Sequence, residues 1–268
     1  MLYKTRVPGP PLSAFVDYLW SLQDAPGHAM ERIVPSGTLE LVVNLHEDEL
    51  RIYDCDAGSC RRHAGASVSG AYRQFFAIDT REHASIVGAH FRPGRARAIL
   101  GVPPGELADQ HVDLAALWSG AAGELRERLC DATTAAARFD VLEQALLQRL
   151  APRDDHRAVA FALEQLGQPV VSVGEVAARL QLSRRRLIEV FTAEVGMTPK
   201  RLSRVLRFQR ASRVARLARP LDWGRVAVAC GYFDQSHLVN EFRALTGMSP
   251  VRFVESSART KANHVAVH

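Results

Sequence analysis

Two groups of polar side chains near the end of this 268-residue chain have types and spacing suited to paired hydrogen bonds with planar partners. The first group is Arg184, Arg185, Arg186 and Glu189, and the second is Gln235, Ser236, His237 and Asn240. Arginine binds guanine O6 and N7, glutamine and asparagine bind adenine N6 and N7, and glutamate accepts from cytosine N4. Residues four apart share a helix face, as Arg185 and Glu189 or Ser236 and Asn240 would. We therefore predict that both groups contact DNA bases.

The two groups stand at the same place in an internal repeat. Gly174, Val176 and Ala177 recur 50 residues later as Gly224, Val226 and Ala227. Leu187, Phe191, Gly196, Met197 and Pro199 recur 51 residues later as Leu238, Phe242, Gly247, Met248 and Pro250. Each unit thus predicts a short helix, a turn, a second helix, a glycine stop and a proline restart, which is the layout of a helix-turn-helix. A helical solenoid would need at least three such units.

A long helix is predicted over residues 199–218, between the two units. Twenty helical residues span about 30 Å, and adjacent major-groove segments on one face of B-DNA lie about 34 Å apart. The spacer could therefore hold both second helices in successive grooves. Lys200 and Arg201 at its start are predicted to contact phosphate. Its arginines recur every three residues and drift around the helix, so we expect only one or two of them to touch DNA.

The chain as a whole is predicted to be α+β, with the strands in its first part. Strand patterns occur at 39–45, 50–54, 67–78 and 84–91, which favours an antiparallel β-barrel or sandwich with flanking helices near 93–101, 121–132 and 137–150. Seven helices follow, at roughly 154–166, 174–180, 184–194, 198–217, 222–229, 235–246 and 249–255. We place the domain boundary at the proline and charges of 151–155. The predicted domains are a β-rich effector or dimerisation domain over 1–152 and an all-α domain over 153–268, with two helix-turn-helix units joined by a long helix.

The charge distribution supports a polyanionic partner for the second domain only. Residues 154–268 carry 18 Lys or Arg and 10 Asp or Glu, a net charge of +8, whereas residues 1–153 carry 16 and 19, a net charge of −3. Basic surfaces also occur without function. No apolar run approaches the length of a membrane span, and the first residues lack the layout of a secretory signal. We therefore expect a cytoplasmic protein that does not bind a membrane.

Residues 223–253, WGRVAVACGYFDQSHLVNEFRALTGMSPVRF, closely resemble the signature of AraC/XylS-type bacterial transcription regulators. Residues 173–202 resemble the first motif of the same family. The resemblance implies two helix-turn-helix units that bind double-stranded promoter DNA, an N-terminal domain that binds a small-molecule effector or forms a homodimer, and a contact with RNA polymerase. Glu189 and Asn240 stand where the family often has arginine, so its base preferences do not transfer. Helices at 121–150 are either a dimer interface or intradomain core.

Three alternatives remain open at the level of sequence. Cys55, Cys60 and His63 could make the protein a metal- or redox-responsive sensor, although no fourth zinc ligand is identifiable. A non-specific DNA binder would show no base preference and only phosphate-driven affinity. An enzyme is the third alternative, but no P-loop, dinucleotide-binding or hydrolase motif is present. We expect a regulator without catalytic residues, cofactor or metal.

Overall fold

A computed structural model of the chain describes residues 2–24, 30–54, 59–151, 156–166, 172–217, 220–256 and 264–267. Its strands are β1 (Leu2–Arg6), β2 (Val16–Gln23), β3 (Met30–Ile33), β4 (Glu40–Asn44), β5 (Glu49–Tyr53), β6 (Cys60–Ala64), β7 (Ala66–Ser69), β8 (Phe76–Asp79), β9 (Ser85–Phe91), β10 (His111–Asp113) and β11 (His264–Val267). They form two antiparallel sheets. The first has the order β1-β2-β9-β4-β7-β10, and the second has the order β11-β3-β8-β5-β6. Neither sheet closes on itself among these residues, which agrees with the sandwich and not with a closed barrel.

The helices are α1 (Arg97–Leu100), α2 (Leu114–Trp118), α3 (Ala121–Asp131), α4 (Ala135–Arg149), α5 (Arg157–Leu166), α6 (Val173–Arg179), α7 (Arg184–Val195), α8 (Pro199–Leu217), α9 (Trp223–Ala229), α10 (Gln235–Thr246) and α11 (Pro250–Ser256). Short 3-10 turns lie at Leu12–Ala14 and Pro104–Leu107. The helices from α5 onward begin and end within three residues of the predicted segments. The predicted α+β fold class is therefore confirmed.

The first sheet is buried on both faces. Helices α2, α3 and α4 pack against its strands on one side, and α4 buries Phe139, Leu142 and Leu146 there. On the other side, Trp20 and Ile86 form a cluster with Leu50 of the second sheet. The apolar stripe of α4 is thus intradomain core, which is one of the two interpretations that its sequence allowed.

The strand predicted over 67–78 is wrong as a single element. It divides into β7 in the first sheet and β8 in the second. The chain leaves the first sheet at Gly70, where an added Cβ would lie 1.6 Å from the carbonyl oxygen of Leu107. Only glycine fits such a close backbone approach. The alternation of residue types in the sequence runs through both strands, so it does not reveal that they belong to different sheets.

The two helix-turn-helix units share backbone details as well as sequence. In the first unit α6 and α7 are joined through Gln181, which has φ +56°, and in the second α9 and α10 are joined through Gly231 at φ +82°. Both second helices end at a left-handed glycine, Gly196 or Gly247. The 19-residue α8 lies between the units and packs against helices of both.

The N-terminal part of the chain contacts both units directly. Arg97 of α1 forms an ion pair with Glu194 of α7, and Arg32 Nη1 donates to the carbonyl oxygen of Thr246 in α10 at 3.0 Å. The last strand, β11, returns to pair antiparallel with β3. The predicted boundary between residues 152 and 153 lies outside the described residues and stays a prediction.

Candidate nucleic-acid interface

Side-chain caps fix the start of both second helices. Ser183 Oγ accepts a hydrogen bond from the backbone N–H of Arg186 at 3.1 Å, and Asp234 Oδ1 accepts from the N–H of His237 at 2.7 Å. Such caps satisfy donors that a helix N-terminus otherwise leaves unpaired. Each polar group therefore starts at a defined residue of a defined helix.

Burial of one face orients each of these helices. Leu187 and Phe191 in α7, and Leu238 and Phe242 in α10, are completely buried. Because these anchors are spaced by four residues, they occupy one stripe of the helix. The two polar groups, which lie just before and between these anchors, are left on the outer side, which is the arrangement that the repeat predicted.

All four members of the first polar group are exposed on α7, namely Arg184, Arg185, Arg186 and Glu189. Arg185 Nε donates to Glu189 Oε1 at 2.9 Å, and this hydrogen bond lowers the pKa of the Glu189 carboxyl. The Arg185 side chain is 90% exposed, so water competes with the pair and its strength is small. Both side chains can therefore exchange this contact for a base.

All four members of the second polar group are likewise exposed on α10, namely Gln235, Ser236, His237 and Asn240. His237 Nδ1 accepts from the backbone N–H of Phe233 at 3.4 Å, and its ring meets Tyr232 edge-on, with centroids 5.3 Å apart. His237 thus has a local structural contact. In the neutral ring this leaves Nε2–H as a donor.

The arginines of α8 divide into distinct environments. Lys200 and Arg201 are exposed at the start of the helix. Arg204 and Arg207 instead bind Glu241 of α10. Arg216 lies over the ring of Phe253, 5.7 Å from its centroid. This division agrees with the expectation that few of these arginines are available for phosphate.

Three residues near the interface are absent from the sequence prediction. Ile188 is 39% exposed on α7, beside the first polar group, and its methyl groups could contact a thymine methyl. Phe233, which is 90% exposed, precedes the second group. Glu241 is buried against α8. The only sequence signal for Glu241 was a carboxylate in α10 where the repeat has Val190 in α7.

The structure leaves all members of each polar group exposed within the first two turns of their helix. It also leaves Lys200 and Arg201 exposed between the two units. Contact of all ten residues with DNA stays a prediction, because their exposure is compatible with it and also with a solvated surface.

The segment of the sensor alternative has no metal-binding geometry among the residues that the structure describes. Cys60 is exposed and carries a free thiol, and His63 Nδ1 lies 3.8 Å from Asp113 Oδ1. Cys55 lies outside the described residues. In the described ranges, no three histidine, cysteine, aspartate or glutamate side chains are placed to share a metal ion. The helices in those ranges include none with the length and hydropathy of a membrane span.

Two family models match this chain. Residues 4–113 match a domain of unknown function (DUF6597), and residues 176–256 match a helix-turn-helix domain. The second match covers α7 and α10 with both polar groups, together with the spacer α8.

Two curated relatives are transcriptional regulators by name. The chain is 29% identical over 126 residues to the HTH-type transcriptional regulator CdhR of Pseudomonas aeruginosa, a match that covers 41% of this chain and 37% of CdhR. It is 33% identical over 92 residues to the probable transcriptional regulator LumQ of Photobacterium leiognathi, covering 34% of this chain and 36% of LumQ. The matches therefore span little more than a third of the length of either relative.

One solved structure is similar to a part of this chain, and another is similar over nearly its whole length. The DNA-binding domain of AdpA, solved in complex with a target DNA, is 29% identical and covers 37% of this chain and 87% of that chain, with a TM-score of 0.32. ToxT from Vibrio cholerae is 9% identical and covers 94% of this chain and 98% of that chain, with a TM-score of 0.46.

Proposed function

We propose that residues 176–256, which match a helix-turn-helix domain, form an AraC-type DNA-binding domain, and that the protein is a sequence-specific transcription regulator that binds double-stranded promoter DNA. In this proposal α7 and α10 enter successive major grooves. The supporting observation is that the repeat keeps the buried anchors of both helices and changes the exposed polar residues. A scaffold that is repeated fits a repeated groove, and side chains that differ fit different bases.

In this proposal the polar residues have separate tasks. Arg184, Arg185 and Arg186 extend from the first turn of α7, where bidentate contact with guanine is available to a guanidinium. Asn240 lies in the second turn of α10 and presents an amide suited to adenine. Lys200 and Arg201 lie at the start of α8, where we propose that they bind phosphate and set the position of the protein without reading sequence.

The test is binding of the full chain to the DNA upstream of its own gene and to scrambled DNA of equal length, over a series of salt concentrations. We expect a clear preference for the upstream DNA that persists as salt weakens both complexes. Equal binding to both DNAs, falling together with salt, would support the non-specific binder instead.

We propose that the N-terminal part of the chain modulates DNA binding through its contacts with both units. The Arg97–Glu194 ion pair reaches α7, and the Arg32 hydrogen bond reaches the end of α10. Gln209 Nε2 in the spacer also donates to the carbonyl oxygen of Ser36 at 2.8 Å. A change in the sheets would therefore alter how the two recognition helices are held.

We propose that an effector for this modulation binds between the two sheets. A cavity of about 70 Å³ there has mostly apolar walls, including Trp20, Ile52 and Phe76. Burial lowers the pKa of His83, which is therefore neutral. Its Nδ1 lies 2.8 Å from the carbonyl oxygen of Asp79 and must donate to it, so Nε2 is left as an acceptor. We propose a small, mostly apolar effector with one hydrogen-bond donor.

Titration of the full chain with the straight-chain alcohols from ethanol to hexanol tests this site. We expect the imidazole NMR signals of His83 to shift and saturate with the alcohols that fit, while those of exposed His237 stay constant. Shifts that never saturate, or that are equal at both histidines, would reject the cavity as a binding site.

We also propose a homodimer and a contact with RNA polymerase, which the family resemblance implies. A cytoplasmic location and the lack of catalytic activity stay expectations from the sequence.

A further inference from the structure

Glu241 occupies a place in the repeat where the first unit has an aliphatic residue. The offset of 51 that pairs Leu187 with Leu238 also pairs Val190 with Glu241. Val190 is half-buried against the apolar core of its unit, whereas Glu241 is only 4% exposed. Burying a carboxylate is costly unless it is paired. Since valine fills the equivalent position in the first unit, packing of the helix-turn-helix alone does not explain a glutamate at position 241.

The carboxylate of Glu241 is held by two arginines of the spacer helix. Arg204 Nε and Arg207 Nη2 both donate to Oε1 at 2.8 Å, and Arg207 Nε donates to Oε2 at 3.0 Å. Arg207 therefore binds both carboxylate oxygens in the two-pronged manner that restricts orientation most strongly. Burial alone would raise the pKa of Glu241, but the hydrogen bonds from these arginines outweigh it and lower that pKa.

Arg207 extends the same contact to the turn before the recognition helix. Its Nη1 reaches the carbonyl oxygen of Gly231 at 3.4 Å, and its guanidinium lies 4.7 Å from the centroid of the Tyr232 ring. Gly231 is the left-handed residue of the turn between α9 and α10. One side chain of α8 thus contacts both the turn and the helix that follows it.

We infer that Glu241 is a positioning residue that fixes the rotation of α10 about its own axis, and thereby sets which bases the second polar group meets. Asn240 is its neighbour in sequence, about 100° away around the helix. Any rotation that breaks the contacts of Glu241 turns Asn240 and Ser236 by the same angle. This inference rests on the proposed function, since it concerns the reading of bases by α10.

The directional contact does what apolar packing at this position does not. An aliphatic side chain such as Val190 tolerates small rotations, because dispersion contacts have little directionality. Three hydrogen bonds to one carboxylate restrict the angle, since hydrogen bonds weaken steeply when misaligned. Buried ion pairs often add little to stability but can select one arrangement.

The test replaces Glu241 by the residue of the first unit, Glu241→Val, and by its neutral isostere, Glu241→Gln, in the full chain. Base preference is measured for the parent and both variants by selection from DNA randomised over both half-sites. We expect Glu241→Val to lose about tenfold in preference at the bases facing α10, and Glu241→Gln to lose less. Preference at the bases facing α7 and the salt dependence of affinity stay unchanged.

Leu142→Ala is the matched control for lost stability. Leu142 is completely buried in α4, which packs against the first sheet and not against α10. At equal loss of thermal stability, the control is expected to keep the parental preference at both half-sites. Parental preference in Glu241→Val, or the same loss in the control, would overturn the inference.

The outcomes also separate this inference from the proposed function. A parent with no base preference at all would reject the proposed function itself. A parent with a clear preference that both Glu241 variants retain would reject only the positioning role. If Glu241→Val does not fold, Glu241→Gln alone decides, because it keeps the shape of the side chain and removes its charge.

Discussion

Arg185 and Asn240 are the side chains on which base recognition depends most directly in the proposed function. They lie on different recognition helices and are both exposed. We predict that Arg185→Ala and Asn240→Ala each relax preference at separate positions, about one helical turn of DNA apart, by about 1–3 kcal/mol. Selection from randomised DNA measures both positions in one experiment.

The control for these two variants is Arg62→Ala. Arg62 is an exposed arginine of β6, far from α7 and α10 in sequence, and is expected to leave base preference unchanged. If both recognition variants bound every DNA as the parent does, the assignment of α7 and α10 to the grooves would be wrong.

A buried histidine makes stability depend on pH at the same scale. His111 in β10 lies against Phe76 and shares a 2.7 Å hydrogen bond with the hydroxyl of Tyr72. Burial, helped by the neighbouring His63 and Arg61, lowers the pKa of His111 from 6.5 to about 3. Below about pH 6.5 the imidazole of His111 therefore binds a proton in the unfolded chain but stays unprotonated in the folded chain. The free energy of unfolding must fall as the pH is lowered through this window.

We predict that His111 alone lowers the free energy of unfolding by about 2 kcal/mol between about pH 7 and about pH 5. Urea unfolding of the parent and of His111→Phe at both pH values measures this difference. The variant should show a weaker pH dependence, whatever its stability at neutral pH. An exposed-site control, His237→Gln, should keep the parental dependence. An unchanged dependence in His111→Phe would show that other groups cause it.

At the scale of elements, the start of α10 is set by one side chain. Asp234 accepts from the N–H of His237 and so satisfies a donor in the first turn. We predict that Asp234→Ala lowers the free energy of unfolding by about 1 kcal/mol, because that donor is left unpaired. Hydrogen exchange at the amides of the first turn should speed up at the same time.

Asp234→Ser is the matched variant, because a serine hydroxyl can accept the same hydrogen bond. It is expected to keep most of the parental stability in urea unfolding. Equal losses in the alanine and serine variants would mean that the carboxylate acts through charge and not as a cap.

The elements also differ in how far local sequence predicts them. The second helices of both units were predicted closely, since their anchors, caps and glycine stops all lie within a few residues of one another. Strand β6, by contrast, has the sequence CRRHA and is almost wholly exposed, so it offers no alternation of apolar and polar residues. It forms because β5 pairs with it.

At the scale of the whole molecule, the close approach at Gly105 joins the N-terminal part to α7. A Cβ added there would lie 2.8 Å from the carbonyl oxygen of Thr192 and 3.1 Å from the Cα of Ala193. Both are backbone atoms of a helix and cannot move aside alone. We predict that Gly105→Ala lowers the free energy of unfolding by about 1–3 kcal/mol and weakens binding to specific DNA several-fold, because α7 is held less firmly.

Gly123→Ala is the control, because Gly123 lies in α3 with no atom near the place of its Cβ. Alanine there should be neutral or slightly stabilising, as expected in a helix. Calorimetry and DNA titration of both variants provide the comparison. Parental DNA affinity in a destabilised Gly105→Ala would contradict the proposed modulation through this contact.

Four features could be predicted from residues close in sequence. They are the repeat, the helix bounds from α5 onward, the exposed polar groups and the charge difference between the two parts of the chain. Each depends on short-range periodicity or capping, which a linear pattern contains. Three features could not be predicted in this way. They are the partners of Glu241, the separation of β7 from β8 at Gly70, and the pairing of β11 with β3. They depend on which surfaces meet after the chain has folded, and contacts between residues distant in sequence leave no local pattern.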